Sequence, residues 1–188
     1  MAVYFLPKSR TKKFLGRTDL PEDVMAIDIS GKGAGEWNVL SPTFSHGDIP
    51  VPGMPGVTSR TVEGIWEGLK RFENEGENVA LFEADKPKKR KVTEAAGRFV
   101  GYAYGTETLK DELEARQKIF IPAYTWMVKN APEARAKFDE LVELARKNTL
   151  HIYDGLENSD AHDPRPYSYA AMLTDMLKDA RKAKAALV

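Results

Sequence analysis

The sequence predicts an α+β protein, with a single domain over residues 1–188 that is mainly helical and carries short strands. Three observations predict this class. Hydrophobic residues make up 42% and charged residues 30% of the chain, which is typical of a folded domain. The chain is long enough to bury one core. Apolar residues recur at helical spacing through the second half, with short apolar runs typical of strands between them.

Composition excludes several classes of protein. Lys and Arg together number 28, as do Asp and Glu, so no overall charge favours nonspecific binding of nucleic acid or anionic membrane. The chain has no cysteine, which excludes disulfides and thiolate metal sites and favours a reducing compartment. The apolar run at residues 2–6 is too short for a signal peptide, and no run approaches the roughly 20 residues of a membrane span. We therefore expect a cytoplasmic protein without a membrane span.

The first third of the chain contains two strand patterns and a long loop. Apolar runs at 3–6 and 24–29, bounded by proline and glycine, predict short buried strands. Residues 31–56 lack periodicity and contain several prolines, yet they include apolar side chains such as Trp37 and Leu40. A loop of this length in a compact domain is usually disordered or functional, and its apolar content favours a packed functional loop.

The strongest helical pattern is TVEGIWEGLKRF at residues 61–72, where the apolar side chains form one stripe and Thr61 or Ser59 can cap the first turn. A strand or buried connection is expected at 79–82. A basic run follows at 86–91 (KPKKRK), then an apolar segment at 99–105 and a helix at 109–130 that is bent or broken near Pro122. The next helix starts at 130–133 with Asn130 as cap and has its buried face at 138–145. The last predicted elements are a strand at 150–153, an acidic loop at 154–163 and a helix at about 168–186.

Two carboxylates and a lysine share one flank of the helix predicted at 61–72. Glu63, Glu67 and Lys70 follow at spacings of four and three residues, which places them on one face. Carboxylates one turn apart repel each other unless a cation or a proton lies between them. Either this flank is a solvated surface, compensated by Lys70 and Arg71, or one carboxylate is a general acid/base on a rigid element.

Two glycines and an arginine are unusual at their helical positions. Gly64 and Gly68 each cost about 1 kcal/mol relative to alanine, so another backbone, or else a ligand, is expected to come close. Arg116 falls within the apolar stripe of the helix at 109–130. Its guanidinium either snorkels to solvent or is buried beside an acidic partner or a polar cavity, as in sites that recognise phosphate or carboxylate. The basic run at 86–91 is likewise either a solvated loop or a phosphate contact.

Signals for metals and cofactors are weak. His46, His151 and His162 share no metal-ligand spacing, and the acidic loop at 154–163 does not follow the calcium-loop pattern. The GKGAG sequence at 31–35 lacks the Lys-Ser/Thr pair of a P-loop. No Ser/His/Asp or Cys/His order is available. We expect neither a metal nor a cofactor.

Several motifs resemble known families. The helix at 61–72 is similar to the Ser/Thr-Val-Glu-His…Gln-Ala-x-Lys helix of the NADAR (YbiA-like) superfamily, and the order of the other parts is similar too, with a Pro/Gly-rich loop before this helix and an Ala/Gly-Arg step after it. Nearly the whole chain resembles a family of bacterial and phage proteins. The motifs shared with that family are PKSR at 7–10, HGxIPVPG at 46–53, VEGIWxGLK at 62–70, EARxxIxxPAYxW at 114–126 and Arg-Pro-x-Ser at 165–168.

The NADAR resemblance implies a fold of that type and an N-glycosidase that acts on ribosylated bases. It assigns Glu63 as the catalytic carboxylate, and Asp160 of the acidic loop is a second candidate. The candidate substrate-binding residues are Lys70, Arg116 and Arg98 for phosphates, Trp66, Trp126 and Tyr124 for stacking on a base, and His46 and Asn158.

The chain departs from the NADAR pattern at two positions. Gly64 stands where the histidine would be and Glu67 where the glutamine would be. Two functions therefore stay open. One is a hydrolase whose substrate is a small nucleotide-like molecule or a modified base in nucleic acid. The other is a catalytically inactive module that binds a nucleotide or a partner protein in the same cleft.

Overall fold

The computed structural model describes residues 2–31 and 35–185, with side chains through residue 183. Within them the α+β class is confirmed. The middle of GKGAG, at 32–34, and the predicted helix end at 186 lie outside the described residues. The chain divides into two compact units, one built from residues up to 41 and from 135 onward, the other from residues 42–134.

The described elements follow one another in an alternating order. The strands are β1 (Val3–Phe5), β2 (Val24–Asp28), β3 (Ile49–Pro50), β4 (Thr58–Ser59), β5 (Lys70–Phe72), β6 (Phe99–Tyr104), β7 (Glu107–Leu109) and β8 (Thr149–Tyr153). The α-helices are α1 (Lys8–Leu15), α2 (Val62–Gly68), α3 (Glu112–Ala115), α4 (Ile121–Asn130), α5 (Pro132–Lys147) and α6 (Tyr169–Ala185). Short 3₁₀ turns lie at Glu36–Leu40 and Val79–Leu81, and a π-helical turn at Arg116–Phe120.

The first unit is built around a three-stranded parallel sheet. Its order is β1-β8-β2, with Val3 opposite Leu150 and Ile27 opposite Ile152. Buried and partly exposed residues alternate along β8, as expected for a strand with one face on a core. The strands predicted at 3–6, 24–29 and 150–153 are confirmed. The predicted apolar faces of α5 and α6 are also buried, through residues such as Leu141 and Leu173.

The second unit contains the antiparallel sheet β5-β6-β7 and the small β3-β4 pair. Its core holds Ile65 and Leu69 of the predicted stripe together with Ile119 and Met127. The long loop is packed as predicted, since it buries residues of both units, among them Leu40, Ile49 and Val51. None of the helices among residues 2–31 and 35–185 combines the length and the apolar character that a bilayer crossing requires.

Three predicted boundaries are wrong. Helix α2, predicted over residues 61–72, ends at Gly68, because the carbonyls of Gly68 and Leu69 accept hydrogen bonds from Asn78 N (2.8 Å) and Ala103 N (2.8 Å). Lys70–Phe72 then continues as strand β5. The helix predicted from residue 109 begins only at Glu112, because Glu107–Leu109 pairs with β6. The strand or buried connection expected at 79–82 is a 3₁₀ turn at Val79–Leu81, and of these four residues only Phe82 is buried.

The third wrong boundary is the start of α5. Asn130 does not cap this helix, since it closes α4 and its side-chain amide donates to Trp126 O (2.8 Å). The bend or break expected near Pro122 is not a break, because residues 112–130 are helical throughout. The irregularity is the π-helical turn at Arg116–Phe120, which runs directly into α4 with Pro122 in its first turn.

Candidate active site on helix α2

The start of α2 is fixed by two hydrogen bonds. The hydroxyl of buried Thr61 accepts from Gly64 N (2.8 Å), which is the side-chain cap the sequence predicted. Glu63 N donates to the carbonyl of Pro42 (2.9 Å), at the beginning of the Pro/Gly-rich loop. Both bonds position Glu63 in the first turn.

The Glu63 side chain is mostly removed from solvent, with 16% of its surface exposed. Burial raises the pKa of Glu63, and the neighbouring carboxylate of Glu67 raises it further, while Lys89 and Lys70 oppose this shift. The nearest cation is Lys89, whose Nζ lies 4.0 Å from Glu63 Oε1. Glu63 is therefore not part of a solvated helix face.

Glu67 is a buried structural carboxylate, with 3% of its side chain exposed. Its Oε1 accepts from Lys70 Nζ (2.6 Å) and its Oε2 from Arg90 N (2.7 Å). These two donors compensate its charge one turn away from Glu63. The solvated-face interpretation is wrong for Glu67 as well, because the charge is met by an internal cation and a backbone N–H.

Arg90 anchors the basic run at 86–91 to Glu67 and Lys70. Nothing in the sequence indicated this anchoring. Its guanidinium donates to Lys70 O, to Gly76 O (2.9 Å) and to Glu75 Oε2 (3.1 Å), and lies 4.9 Å from the centre of the Phe72 ring. A basic run in a sequence does not indicate which of its cations is held by the fold.

The two glycines of α2 face close neighbours. A Cβ at Gly64 would stand 2.6 Å from Leu81 O and 2.8 Å from Thr61 Oγ1, and one at Gly68 would touch the Phe82 ring. The expected close packing is confirmed. Position 64 therefore has no room for a side chain.

We expect Gly64→Ala to destabilise the protein by about 1–3 kcal/mol, since the new methyl group collides with a backbone carbonyl that cannot rotate away. Urea denaturation measures the loss. Gly76→Ala is the matched control, because a Cβ at Gly76 meets open space. Equal stability of the two variants would contradict the close packing at α2.

Aromatic rings surround the exposed flank of α2. Trp66 lies against Tyr102, with ring centres 4.2 Å apart, and meets Phe120 edge-on at 5.7 Å. Tyr124 is fully buried and parallel to Phe120. Its ring therefore belongs to the core and is not open for stacking on a base, whereas Trp66 and Trp126 are partly exposed.

Arg116 lies in the π-helical turn and is 3% exposed, which confirms its predicted burial. Its positive charge and the negative charges of Glu112, Glu67 and Glu63 all act on the Tyr102 hydroxyl, whose pKa burial raises strongly. We call Tyr102 and the four charged residues that act on it the Tyr102 cluster. Such π-helical turns often occur at functional sites.

Arg98 lies outside this cluster. Its side chain is 86% exposed and its Nε donates to Glu73 Oε1 (2.7 Å). It forms a surface ion pair, and the sequence prediction of a phosphate ligand at this position finds no support in its surroundings.

Asn158 and Asp160 belong to the first unit, where they shape the acidic loop. Buried Asn158 accepts from Asp160 N (2.9 Å) and donates to Arg165 O (2.9 Å), and exposed Asp160 accepts from His162 N (2.8 Å). The sequence missed Asp154, which is buried and accepts from Ser168 Oγ (2.7 Å) and Ala170 N (3.0 Å) at the start of α6. These contacts are those of a structured loop and a helix cap.

His46 lines a pocket of about 320 Å³ between residues 45–48, residues 58–60 and Glu83. Its imidazole is buried, with Nδ1 3.5 Å from Glu133 Oε2. Asp48, beside it, has a φ of 55°, a left-handed conformation that is uncommon outside glycine and that aspartate tolerates better than most residues. Glu63 is not among the lining residues, although residues 58–60 lead directly into α2.

Sequence comparison places the protein in a family. Residues 8–173 match the model described as Family of unknown function (DUF6939), and the chain belongs to that family. No curated protein and no solved structure matches the chain.

Proposed function

We propose that the protein is a hydrolase that cleaves the N-glycosidic bond of a ribosylated base, with Glu63 as the catalytic carboxylate and a NADAR-like fold. The observation that carries the proposal is the state of Glu63, a mostly buried carboxylate whose pKa is raised and which has a lysine 4.0 Å away. Carboxylates in such surroundings are typical of acid/base sites. A cytoplasmic location is part of the same proposal.

The chemistry suits a buried carboxylate. As the bond between the anomeric carbon and the base nitrogen breaks, positive charge builds on the sugar, and ionised Glu63 stabilises it or takes a proton from the attacking water. The water oxygen forms the new bond to the anomeric carbon, and the base leaves with a proton. A raised pKa brings Glu63 closer to working pH, where proton transfer is most efficient.

Other groups of the cluster can hold the substrate. Lys70 is kept in place by Glu67, and Arg116 supplies a buried guanidinium of the type that binds phosphate. Partly exposed Trp66 and Trp126 can stack on a flat base.

The inactive binding module is the second candidate, and one observation favours it. Both oxygens of Glu67 are occupied and position 64 has no room for a side chain, so the two positions that depart from the NADAR pattern serve the fold. A NADAR-like protein that had lost its catalytic activity would show such replacements.

Incubation with a panel of ribosylated bases tests the proposal. The panel contains free, 5′-phosphorylated and ADP-ribosylated forms, with chromatography for released base and calorimetry for binding. Release of a base supports the hydrolase. Binding without release across the panel supports the inactive module.

We expect base release to survive EDTA. The chain has no cysteine and no histidine pair with metal-ligand spacing. In residues 2–31 and 35–185 no three histidine or acidic side chains cluster as a metal site would require. Rates before and after dialysis against EDTA should agree, and restoration of a lost rate by added metal would refute this expectation.

A further inference from the structure

The basic run at residues 86–91 is held firmly beside Glu63. Five of its six residues are cationic, although the whole chain carries no net charge. The side chain of Arg90 binds three acceptors, and its backbone N–H binds the buried Glu67. Arg90 is the fifth residue of the run, and Lys89 immediately before it comes within 4.0 Å of Glu63. A solvated loop would not need so many anchors.

The anchoring leaves lysines available on the surface. Lys86, Lys88 and Lys91 are exposed, and 74% of the Lys89 side chain is exposed. Within the part of the chain that the structure describes, Lys88 and Lys91 form no ion pair, and Lys86 acts only weakly on the exposed Asp85. Exposed lysines that form no ion pair, on a loop anchored through Arg90, favour an anionic ligand.

The length of the run indicates the kind of anion. Residues 86–91 span at most about 18 Å of chain. A nucleic-acid strand carries one phosphate per nucleotide, so a run of this length can meet several phosphates of one strand. A mononucleotide or a diphosphate would engage only one end of it.

We propose that residues 86–91 bind the phosphate backbone of a single-stranded nucleic acid and hold that strand beside Glu63. The role of the strand as a substrate rests on the proposed N-glycosidase activity. If that activity holds, the substrate class is a modified base within a nucleic-acid strand. Binding of the strand itself does not depend on catalysis. Trp66, next to Glu63 on α2, is close enough in sequence to offer a ring to an unstacked base.

A binding experiment with matched variants tests the proposal. The first variant changes Lys86, Lys88 and Lys91 to Gln and leaves Lys89 and Arg90 in place. The control changes three exposed lysines of α1, Lys8, Lys12 and Lys13, to Gln, for the same change in net charge. Fluorescence anisotropy follows an unmodified single-stranded DNA oligonucleotide over a range of salt, with a nucleoside diphosphate and a polyaspartate peptide as competitors.

The parent and the control should bind the oligonucleotide alike, and the first variant should bind about tenfold or more weaker, with a salt slope reduced by about 2. Equal weakening of oligonucleotide binding in both variants would mean that binding depends only on the net charge of the protein, and it would overturn the proposal. So would unchanged binding, no binding by the parent, or equal competition by polyaspartate or the diphosphate. If the strand binds as expected while no ribosylated base is ever released, the proposed activity fails and the binding surface stands.

Discussion

Glu63→Gln is expected to lower the rate of base release by about a hundredfold or more while leaving the fold intact. Glutamine keeps the shape of the side chain, so Val62 and Ile65 remain packed in the core. It cannot carry the negative charge that an oxocarbenium-like transition state needs, nor take a proton from water. Because the side chain is largely buried, water cannot take over the stabilisation of the positive charge in the transition state.

The measurement is the rate of base release together with ligand affinity for the parent and the variant. Glu94→Gln is the matched control, since Glu94 is exposed in the same unit and the change in charge is equal. A Glu63→Gln enzyme with the full parental rate would remove Glu63 from the mechanism. A parent that binds without turnover, with only a shifted affinity in the variant, would favour the inactive module.

Arg116→Ala is expected to destabilise the protein by about 3–5 kcal/mol. The guanidinium is 3% exposed, and together with Glu63, Glu67 and Glu112 it acts electrostatically on Tyr102. Its removal takes away the interactions of a buried guanidinium and opens a cavity in the π-helical turn.

Urea denaturation of parent and variant gives the difference in unfolding free energy. Arg146→Ala is the control, because Arg146 forms an exposed pair with Glu143 on α5 and should change stability by about 0.5 kcal/mol or less. Arg116→Lys keeps the charge and separates its effect from that of the planar guanidinium. An Arg116→Ala variant as stable as the parent would contradict a stabilising role for the buried guanidinium of Arg116.

Sequence patterns predicted the features that depend only on residues close together in the chain. The stripe of α2, its Thr61 cap and the burial of Arg116 followed from helical spacing, because a helix repeats the same geometry at every residue. The missing N–H of proline predicted an irregularity near Pro122, and it takes the form of the π-helical turn before α4. Strands β1, β2 and β8 were predicted, but the parallel pairing of β1 with β8 joins segments far apart in the chain, and a single sequence carries no signal for it.

The remaining errors come from partners distant in sequence. The end of α2 at Gly68 depends on donors from residues 78 and 103, and the burial of Glu67 depends on Arg90. Arg90 looks like any other cation of its run until the fold shows its acceptors. Asp154 was missed because a buried helix cap and a solvated loop acid have the same sequence signature.

Isotope labelling tests the central claim most directly. The parent enzyme is incubated with the best substrate of the panel in water that contains heavy oxygen, and mass spectrometry follows both products. Hydrolysis of the N-glycosidic bond at Glu63 predicts that the heavy oxygen appears in the sugar and not in the base, and that Glu63→Gln forms little of either product. Heavy oxygen in the base, or the same labelled sugar formed at the same rate by Glu63→Gln, would contradict the account.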